Sequence, residues 1–422
     1  MKGTILFLGK LIFIVFIFLL LFSYAMFQGG FVSWFLFYGF LPIFIYLLGV
    51  LLYPIKTLNV SRKFSHHVVR AGDTVNVEIT MKRSFAFPLY YCICEEIFPD
   101  SLHKVDNRTD KYQHMEDPSQ LKTIRKIKKI VFAGVKREFK LSYQIAEIPR
   151  GEHQLFALRL RTGDLFGFIK KEHVFTVFDN LVAYPNEHQL HITERISSFE
   201  QGSITAQNVT LKNTNVASGI REYMPGDKFS WIDWKQTARK NTVMTKEFEQ
   251  EKSNDTMLIL DGCHHENMNV LAFEAAIEIS LSLMESIRKQ SSQVGFISIG
   301  EKNTFIPLHH DPTKKAFIRQ HLTQIQPGGE QPFAVKLKEE SKRLASGVIV
   351  MIITTNLDER FKQTIQRMKQ RTKRIIVCFI ESSNLITDKQ YKLIQQLEFE
   401  GIVINVMTEK QLIQNRIEVR VV

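Results

Sequence analysis

Two long apolar runs separated by three residues open the sequence, and few folds can accommodate them. Residues 11–27 carry no charge, and the run extends back to Ile5 if Lys10 snorkels its ammonium toward lipid headgroups. Residues 31–53 form a second uncharged run of 23 residues, interrupted only by Gly39, Pro42 and Gly49, breakers that transmembrane helices tolerate. A helix needs about 20 apolar residues to cross a bilayer. Each run is long enough, and Gln28-Gly29-Gly30 makes the turn between them. A cleavable signal peptide is the rival for the first run. Its apolar core is longer than such a segment needs, and a second span follows at once in place of a small-residue cleavage site. Lys2 and Lys10 flank the entry, Lys56, Arg62 and Lys63 flank the exit, and the turn carries no basic residue. The positive-inside bias therefore predicts a multi-pass cell-membrane hairpin with the rest of the chain in the cytoplasm.

With 422 residues, the chain has room for two or three further units. Its net charge of +12 would suit nucleic acid, but a protein held beside anionic lipid gains from the same surplus. Basic clusters such as Arg125-Lys126-Ile127-Lys128-Lys129 alternate with apolar residues at strand spacing, so a solvated face is expected and nucleic acid is not an expected partner. The four cysteines, Cys92, Cys94, Cys263 and Cys378, fit a reducing compartment. Cys92 and Cys94 share one face if they lie on a strand. With no second Cys or His pair at ligand spacing they read as core residues.

Residues 58–185 alternate apolar and polar positions in short segments, at 75–81, 89–95, 123–132, 139–145, 153–160 and 174–184. This period predicts a small antiparallel β-sandwich or barrel. The charged, apolar-poor stretch 103–120 is expected as an exposed excursion between strands. Residues 192–215 read as a connector. After Asp255, apolar strands at 256–260, 294–299, 348–354, 375–380 and 402–407 alternate with helical periods at 270–287, 313–322, 330–345, 357–371 and 388–397. That alternation predicts a doubly wound α/β domain, with 303–307 as an edge strand paired to the one before it. The expected domains are a transmembrane hairpin 1–56, an all-β sandwich-like domain 57–190, a connector 191–254 and the α/β domain 255–422.

The most unusual stretch is 219–251, which contains Arg221, Tyr223, Pro225-Gly226-Asp227, Trp231, Ile232-Asp233-Trp234-Lys235 and Ala238-Arg239. These residues match the signature of the bacterial family called domain of unknown function 58. Arg150-Gly151, Asp164-Leu165-Phe166-Gly167, Tyr184-Pro185 and the leading hairpin agree with it. The resemblance implies a membrane-anchored protein with a von Willebrand factor A-like α/β domain, often encoded beside MoxR-type AAA+ ATPases and transglutaminase-like membrane proteins. It implies an adaptor more than an enzyme. Physically, Arg221, Asp227, Asp233, Lys235 and Arg239 can pair as a charge network under Trp231 and Trp234. Such a network either locks the segment onto the α/β domain or presents Trp231, Trp234 and Arg239 as anchors for a partner.

In a von Willebrand factor A-like domain the first strand leads into an Asp-x-Ser-x-Ser loop that binds a Mg²⁺-type ion through oxygen ligands. Here the loop reads Asp261-Gly262-Cys263-His264-His265, and the counterpart of the second acidic site reads Thr354-Thr355-Asn356. One acid with soft or imidazole neighbours makes a poor Mg²⁺ site; Asp261, Cys263, His264 and His265 would instead suit Zn²⁺ or another transition metal, but as His264 and His265 are adjacent and need not point the same way, Asp261, Cys263 and His265 are expected to form a degenerate loop without a metal or cofactor. Cys263 beside two histidines superficially resembles a thiol with its base, but adjacency supplies no catalytic geometry. There is no Walker loop, no His-Glu-x-x-His and no nucleophile elbow. His309-His310-Asp311-Pro312 reads as a helix entry. The expected function is a membrane-tethered adaptor working with a MoxR-type ATPase; the alternative is a metal-dependent or hydrolytic enzyme centred on the Asp261 loop.

Overall fold

Long apolar runs satisfy their backbone polar groups internally as helix. In the computed structural model, which describes all residues except Met1, 194–212, 225, 226, 228, 251–254, 290–292, 309–311, 415 and 422, α1 spans Lys2–Gln28 and α2 spans Phe31–Leu52. Both are long and apolar enough to cross a membrane. They pair antiparallel through aromatic contacts, Phe18 with Phe37 and Phe44, and Phe22 with Trp34. The chain separates into two compact units, residues 1–108 with 119–185, and residues 109–118 with 186–422.

The first unit holds the hairpin and a β-rich body. Its strands are β1 (Asn59–Phe64), β2 (Val68–Arg70), β3 (Val75–Lys82), β4 (Tyr91–Ile97), β5 (Ile127–Val131), β6 (Glu138–Ile145), β7 (Gly151–Gly163) and β8 (Lys170–Tyr184). They form a sheet ordered β1-β3-β6 and a sheet ordered β2-β8-β7-β4-β5. The alternation of β6, exposed then buried along its whole length, turns one face of its sheet inward. Val77, Ile79 and Tyr143 from one sheet and Cys92, Cys94, Leu155 and Leu160 from the other share a single core. Both cysteines are therefore core residues, and burial pushes the Cys94 thiol up to about 12. Pairing is antiparallel except between β2 and β8, which run parallel because β2 returns along the sheet edge. Within this core Arg62 is buried and paired with Glu96 at 2.6 Å, and it also donates to the Leu155 and Val177 carbonyls.

The second unit contains β9 (Gln189–Thr193), β10 (Asn213–Glu222), α3 (Trp234–Lys240), β11 (Met244–Gln250), β12 (Thr256–Asp261), α4 (Val270–Lys289), β13 (Val294–Ile299) and β14 (Thr304–Ile306). It continues with α5 (Pro312–Gln324), α6 (Phe333–Glu340), β15 (Ile349–Thr354), α7 (Glu359–Lys369), β16 (Arg374–Ile380), α8 (Asp388–Phe399), β17 (Val403–Met407), α9 (Glu409–Leu412) and β18 (Arg416–Arg420). The main sheet is ordered β14-β13-β12-β15-β16-β17, parallel except for β14, which closes a hairpin with β13 as its sequence predicts. Every residue of β12 and β15 is buried, because both faces of their sheet are covered. Residues such as Ile259, Ile352 and Val377 pack against Phe333, Phe361 and Leu397 of α6, α7 and α8, while α4 contacts β12, β13, β15 and β16. Two short pairings lay outside the sequence-based expectation: β18 runs parallel to β9, and β10 pairs with β11. The connector at 192–215 and the helix cap at 309–311 lie largely outside the described residues; α5 begins at Pro312.

The stretch 103–120 corrects the expectation of an exposed excursion. Tyr112 and Met115 are fully buried and Lys111 nearly so. The ammonium of Lys111 lies 2.7 Å from Glu278 of α4, the Tyr112 hydroxyl donates to the same carboxylate at 2.5 Å, and His188 Nε2 contacts it at 2.8 Å. A charge-rich composition hid these partners, because a buried charge is stable only once its counter-charge is placed in three dimensions. Burial alone would push the Glu278 carboxyl up, but Lys111 and His188 outweigh it and hold it at about 2, below its ordinary 4.5. A depressed folded value means that this contribution is fully present above about pH 4.5 and is lost as pH falls toward 2. Glu278→Gln leaves Lys111 buried without a counter-charge and is expected to cost on the order of 3–5 kcal/mol near neutral pH. Urea denaturation of the detergent-purified protein should show the gap from wild type narrowing as the pH is lowered below about 4.5; a pH-independent gap would refute the ion-pair account.

Candidate functional site

Parallel strands gather their functional side chains at their carboxyl ends, and the crevice opens where neighbouring connections leave in opposite directions. In the six-stranded sheet that point lies at β12, flanked by β13 on one side and β15 on the other. Asp261 ends β12 there, and the chain brings Thr354 from the end of β15 beside it. Asp261 is buried; its Oδ1 accepts from the Cys263 backbone N–H at 3.0 Å and its Oδ2 meets the Thr354 hydroxyl at 2.7 Å. Burial pushes its carboxyl from 3.8 up to about 7, against the lowering effect of those two hydrogen bonds. The hydroxyl of Thr354 also faces the Asn356 carbonyl at 3.0 Å, and one proton cannot serve both acceptors. A protonated Asp261 resolves the conflict by donating to Thr354 Oγ1, which frees the threonine proton for Asn356.

The rest of the loop is engaged in the same way. His265 has Nδ1 at 2.9 Å from the Glu266 carbonyl and Nε2 at 3.1 Å from the Thr355 hydroxyl. Cys263 is buried, its sulfur faces the Ile299 carbonyl at 3.6 Å, and burial followed by the Asp261 charge pushes its thiol up to about 12. Such a thiol carries no thiolate at physiological pH. His264 is exposed. Among the described residues no group of three or more His, Cys, Asp or Glu side chains comes together to hold a metal ion. Gly262 and Gly300 approach so closely that a Cβ on either would meet the other strand's carbonyl at 3.1 Å, which tightens the loop further.

Two residues at the crevice escaped sequence reasoning. Asn269 caps the start of α4 through Oδ1, and its Nδ2 donates to Glu381 at 2.9 Å and to the Met115 carbonyl at 2.8 Å. Glu381 follows β16 and also accepts from the Ser382 backbone. The polar pair Glu381-Ser382 directly after an apolar strand was the one available signal.

The signature stretch sits elsewhere in the unit, on the β10–β11 hairpin and α3. Arg221 and Asp227 pair at 2.7 Å, and Asp227 also accepts from the Met224 N–H at 2.9 Å. The hydrogen bond from Arg221 holds the Asp227 carboxyl below its usual range. Asp233 does not join them. It is the N-cap of α3, accepting from the N–H groups of Lys235 and Gln236. Lys235 and Arg239 are exposed, and among the described residues neither has a carboxylate partner. The expected single network therefore divides into one ion pair and one helix cap, because the Asp233 carboxylate is taken up by the backbone N–H groups at the start of α3. Pro225 and Gly226, the expected turn, lie outside the described residues. The Tyr223 ring lies 6.2 Å from that of Phe229, tilted by 32°, and Tyr223 is half-buried, as is Trp231, whereas Trp234 is 69% exposed. Met224, Phe229 and Val243 of the same stretch are also exposed.

Because Asp261 holds its proton to higher pH when folded than when unfolded, stability should fall as pH rises from about 4 to about 7. Asp261→Asn imitates the protonated acid and should flatten that slope in pH-dependent chemical denaturation; an unchanged slope would show that Asp261 is ionised.

With this geometry in place, the known proteins the chain resembles can be set beside it. The family profile described as "Protein of unknown function DUF58" matches residues 219–416, from the signature hairpin to β18. The uncharacterized protein YeaD of Bacillus subtilis is 33% identical over 345 residues, covering 81% of this chain and 82% of that protein. Among solved structures, the PilB minor pilin of Streptococcus sanguinis matches at 8% identity over 77% of this chain and 85% of its own, with a TM-score of 0.28. The CARDB domain of a Pyrococcus furiosus protein matches at 10% identity over 30% of this chain and 91% of its own, with a TM-score of 0.18. The profile match and the extended similarity to YeaD together place the chain in one family: it belongs to the DUF58 proteins.

Proposed function

We propose that this chain is a membrane-tethered adaptor. The α1–α2 hairpin anchors it in the cell membrane as a multi-pass protein, with both soluble units on the cytoplasmic side. The second unit acts as a doubly wound, von Willebrand factor A-like interaction domain, a reading supported by its run of parallel strands and its covered sheet faces. Its partner is a MoxR-type AAA+ ATPase, with a transglutaminase-like membrane protein as a further partner, in the assembly or maturation of other proteins.

The observation that carries this reading is the exposure of Trp234 within the family signature. A tryptophan leaves about 200 Å² of mostly apolar surface in water at a cost that only a partner removes, and Trp and Arg are the residues that dominate interface energies. Met224 and Phe229 of the same signature stretch are also exposed, as are Lys235 and Arg239 of α3. The Asp261 crevice offers less to the alternative of a metal-dependent or hydrolytic enzyme. Its carboxyl oxygens, its thiol and the ring nitrogens of His265 are already engaged within the chain.

A photo-cross-linking residue at position 234, activated in membranes, should capture an AAA+ ATPase. Trp234→Ala and Arg239→Ala should each lower co-purification by about tenfold or more, equivalent to at least about 1.4 kcal/mol, while Asp261→Asn leaves it unchanged. Recovery indifferent to Trp234 and Arg239 but lost with Asp261→Asn would transfer the function to the crevice.

A further inference from the structure

Three loops of the β-rich body expose large apolar side chains beside the hairpin. Phe85 lies between β3 and β4, Phe132 and Val135 between β5 and β6, and Leu165, Phe166 and Phe168 between β7 and β8; each is 51–70% exposed. Exposed apolar groups gathered in this number mark an interaction surface. We infer that these loops are a second membrane anchor, a seat immersed in the boundary between the headgroups and acyl chains of the bilayer that the hairpin crosses. The inference rests on the membrane-spanning reading of the hairpin and goes beyond it.

The depth follows from the helices. Lys10 Nζ donates to the Lys170 carbonyl at 3.1 Å, and from Lys10 to Gln28 α1 rises about 27 Å, close to the hydrocarbon thickness of a bilayer. Lys10 and Lys170 thus mark the headgroup level. The Phe168 ring lies 6.3 Å from Phe13, one helical turn below that level. A cavity of about 590 Å³ opens between the loops and α2, walled by Pro42, Ile43 and Tyr46 on the helix and by Tyr90, Phe132 and Phe166 on the loops. Phe18 of α1 packs between Phe37 and Phe44 of α2, so Pro42 lies about six residues below Lys10, a depth of about 9 Å. The loops cannot reach Pro42 from outside the membrane if the hairpin crosses it.

Backbone in an apolar medium must satisfy its own polar groups, and these loops do so through two side chains. Arg83 is buried and donates to the carbonyls of Phe87 at 2.8 Å, Gly134 at 2.7 Å and Lys136 at 2.5 Å, holding the first two loops together. Asp164 is buried and accepts from the N–H groups of Phe166 at 2.9 Å, Phe168 at 3.3 Å and Ile169 at 2.5 Å, closing the third. Phe87 reaches α2 at Gly49, where a Cβ would meet its ring at 2.6 Å, and Ile169 is buried against Ile14, Leu47 and Val50. The chain then turns basic: Lys136-Arg137 follow Val135, and Lys170-Lys171 follow Ile169. Apolar tips with cations behind them match acyl chains with phosphates above them, which commits the surface to phospholipid.

The full-length protein is reconstituted into vesicles of phosphatidylethanolamine and phosphatidylglycerol with a nitroxide on a single introduced cysteine; the four native cysteines are buried. Labels at Phe166→Cys and, as an independent loop, Val135→Cys should be relaxed by oxygen and protected from a water-soluble nickel complex. A label at Asn76→Cys, on the other end of β3, should show the opposite. A label at Phe40→Cys within α2 reports the hairpin alone. If Phe40 is protected while Phe166 and Val135 behave like Asn76, the seat is refuted and the hairpin stands; if Phe40 is also open to nickel, the membrane-spanning reading itself fails.

Discussion

A carboxylate sealed from water governs the second unit. Glu278 stands in the middle of α4, a helix buried along most of its length, and an isolated charge there would not survive folding. It survives because Lys111, Tyr112 and His188 converge on it from two other parts of the chain, and the His188 backbone N–H also donates to Ser282 one turn further along the helix. Residues 109–118 are thereby drawn into the unit, and Met115 presents its carbonyl to Asn269 at the start of α4. Asn269 in turn holds Glu381 at the end of β16. One buried charge therefore organises the carboxyl-end crevice, the place where a sheet of this kind would otherwise be open to a ligand.

The crevice and the signature hairpin contrast in what they leave unsatisfied. At the crevice the polar atoms of Asp261, Cys263 and His265 find partners within the chain, and burial raises the Asp261 carboxyl against the pull of its two hydrogen bonds. At the hairpin the polar needs are met early, by Arg221 with Asp227 and by Asp233 capping α3, and the remaining apolar and basic groups face water.

Asp164 illustrates how a motif can be legible before its purpose is. Asp164-Leu165-Phe166-Gly167 stands out in the sequence as part of the family resemblance, with nothing to say what it does. In the folded chain its carboxylate gathers three backbone N–H groups, Gly167 takes a positive φ of 81°, and the aromatic side chains are turned outward beside the hairpin. Arg83 performs the complementary task for carbonyls in the neighbouring loops. Acid and base are each spent on backbone, which leaves the loop tips apolar outside and satisfied within.

Hydrophobic period carries most of the architecture in linear form. The two apolar runs, the alternation in β3 and β6, and the largely apolar β12, β15 and β16 separated by amphipathic helices are readable because burial is decided by a side chain's own chemistry and its immediate spacing. The edge hairpin of β14 was readable for the same reason. Residues 103–120 were not, because Lys111, Tyr112 and Glu278 are polar one by one and become core only together, across more than 160 positions of sequence. The same holds for Asn269 with Glu381, for β18 lying beside β9, and for the division of the signature into an ion pair and a helix cap. By itself the sequence determined which segments must leave water; which polar groups could follow them was decided only by the tertiary structure, since a buried charge or hydrogen bond depends on a partner whose position no local pattern encodes.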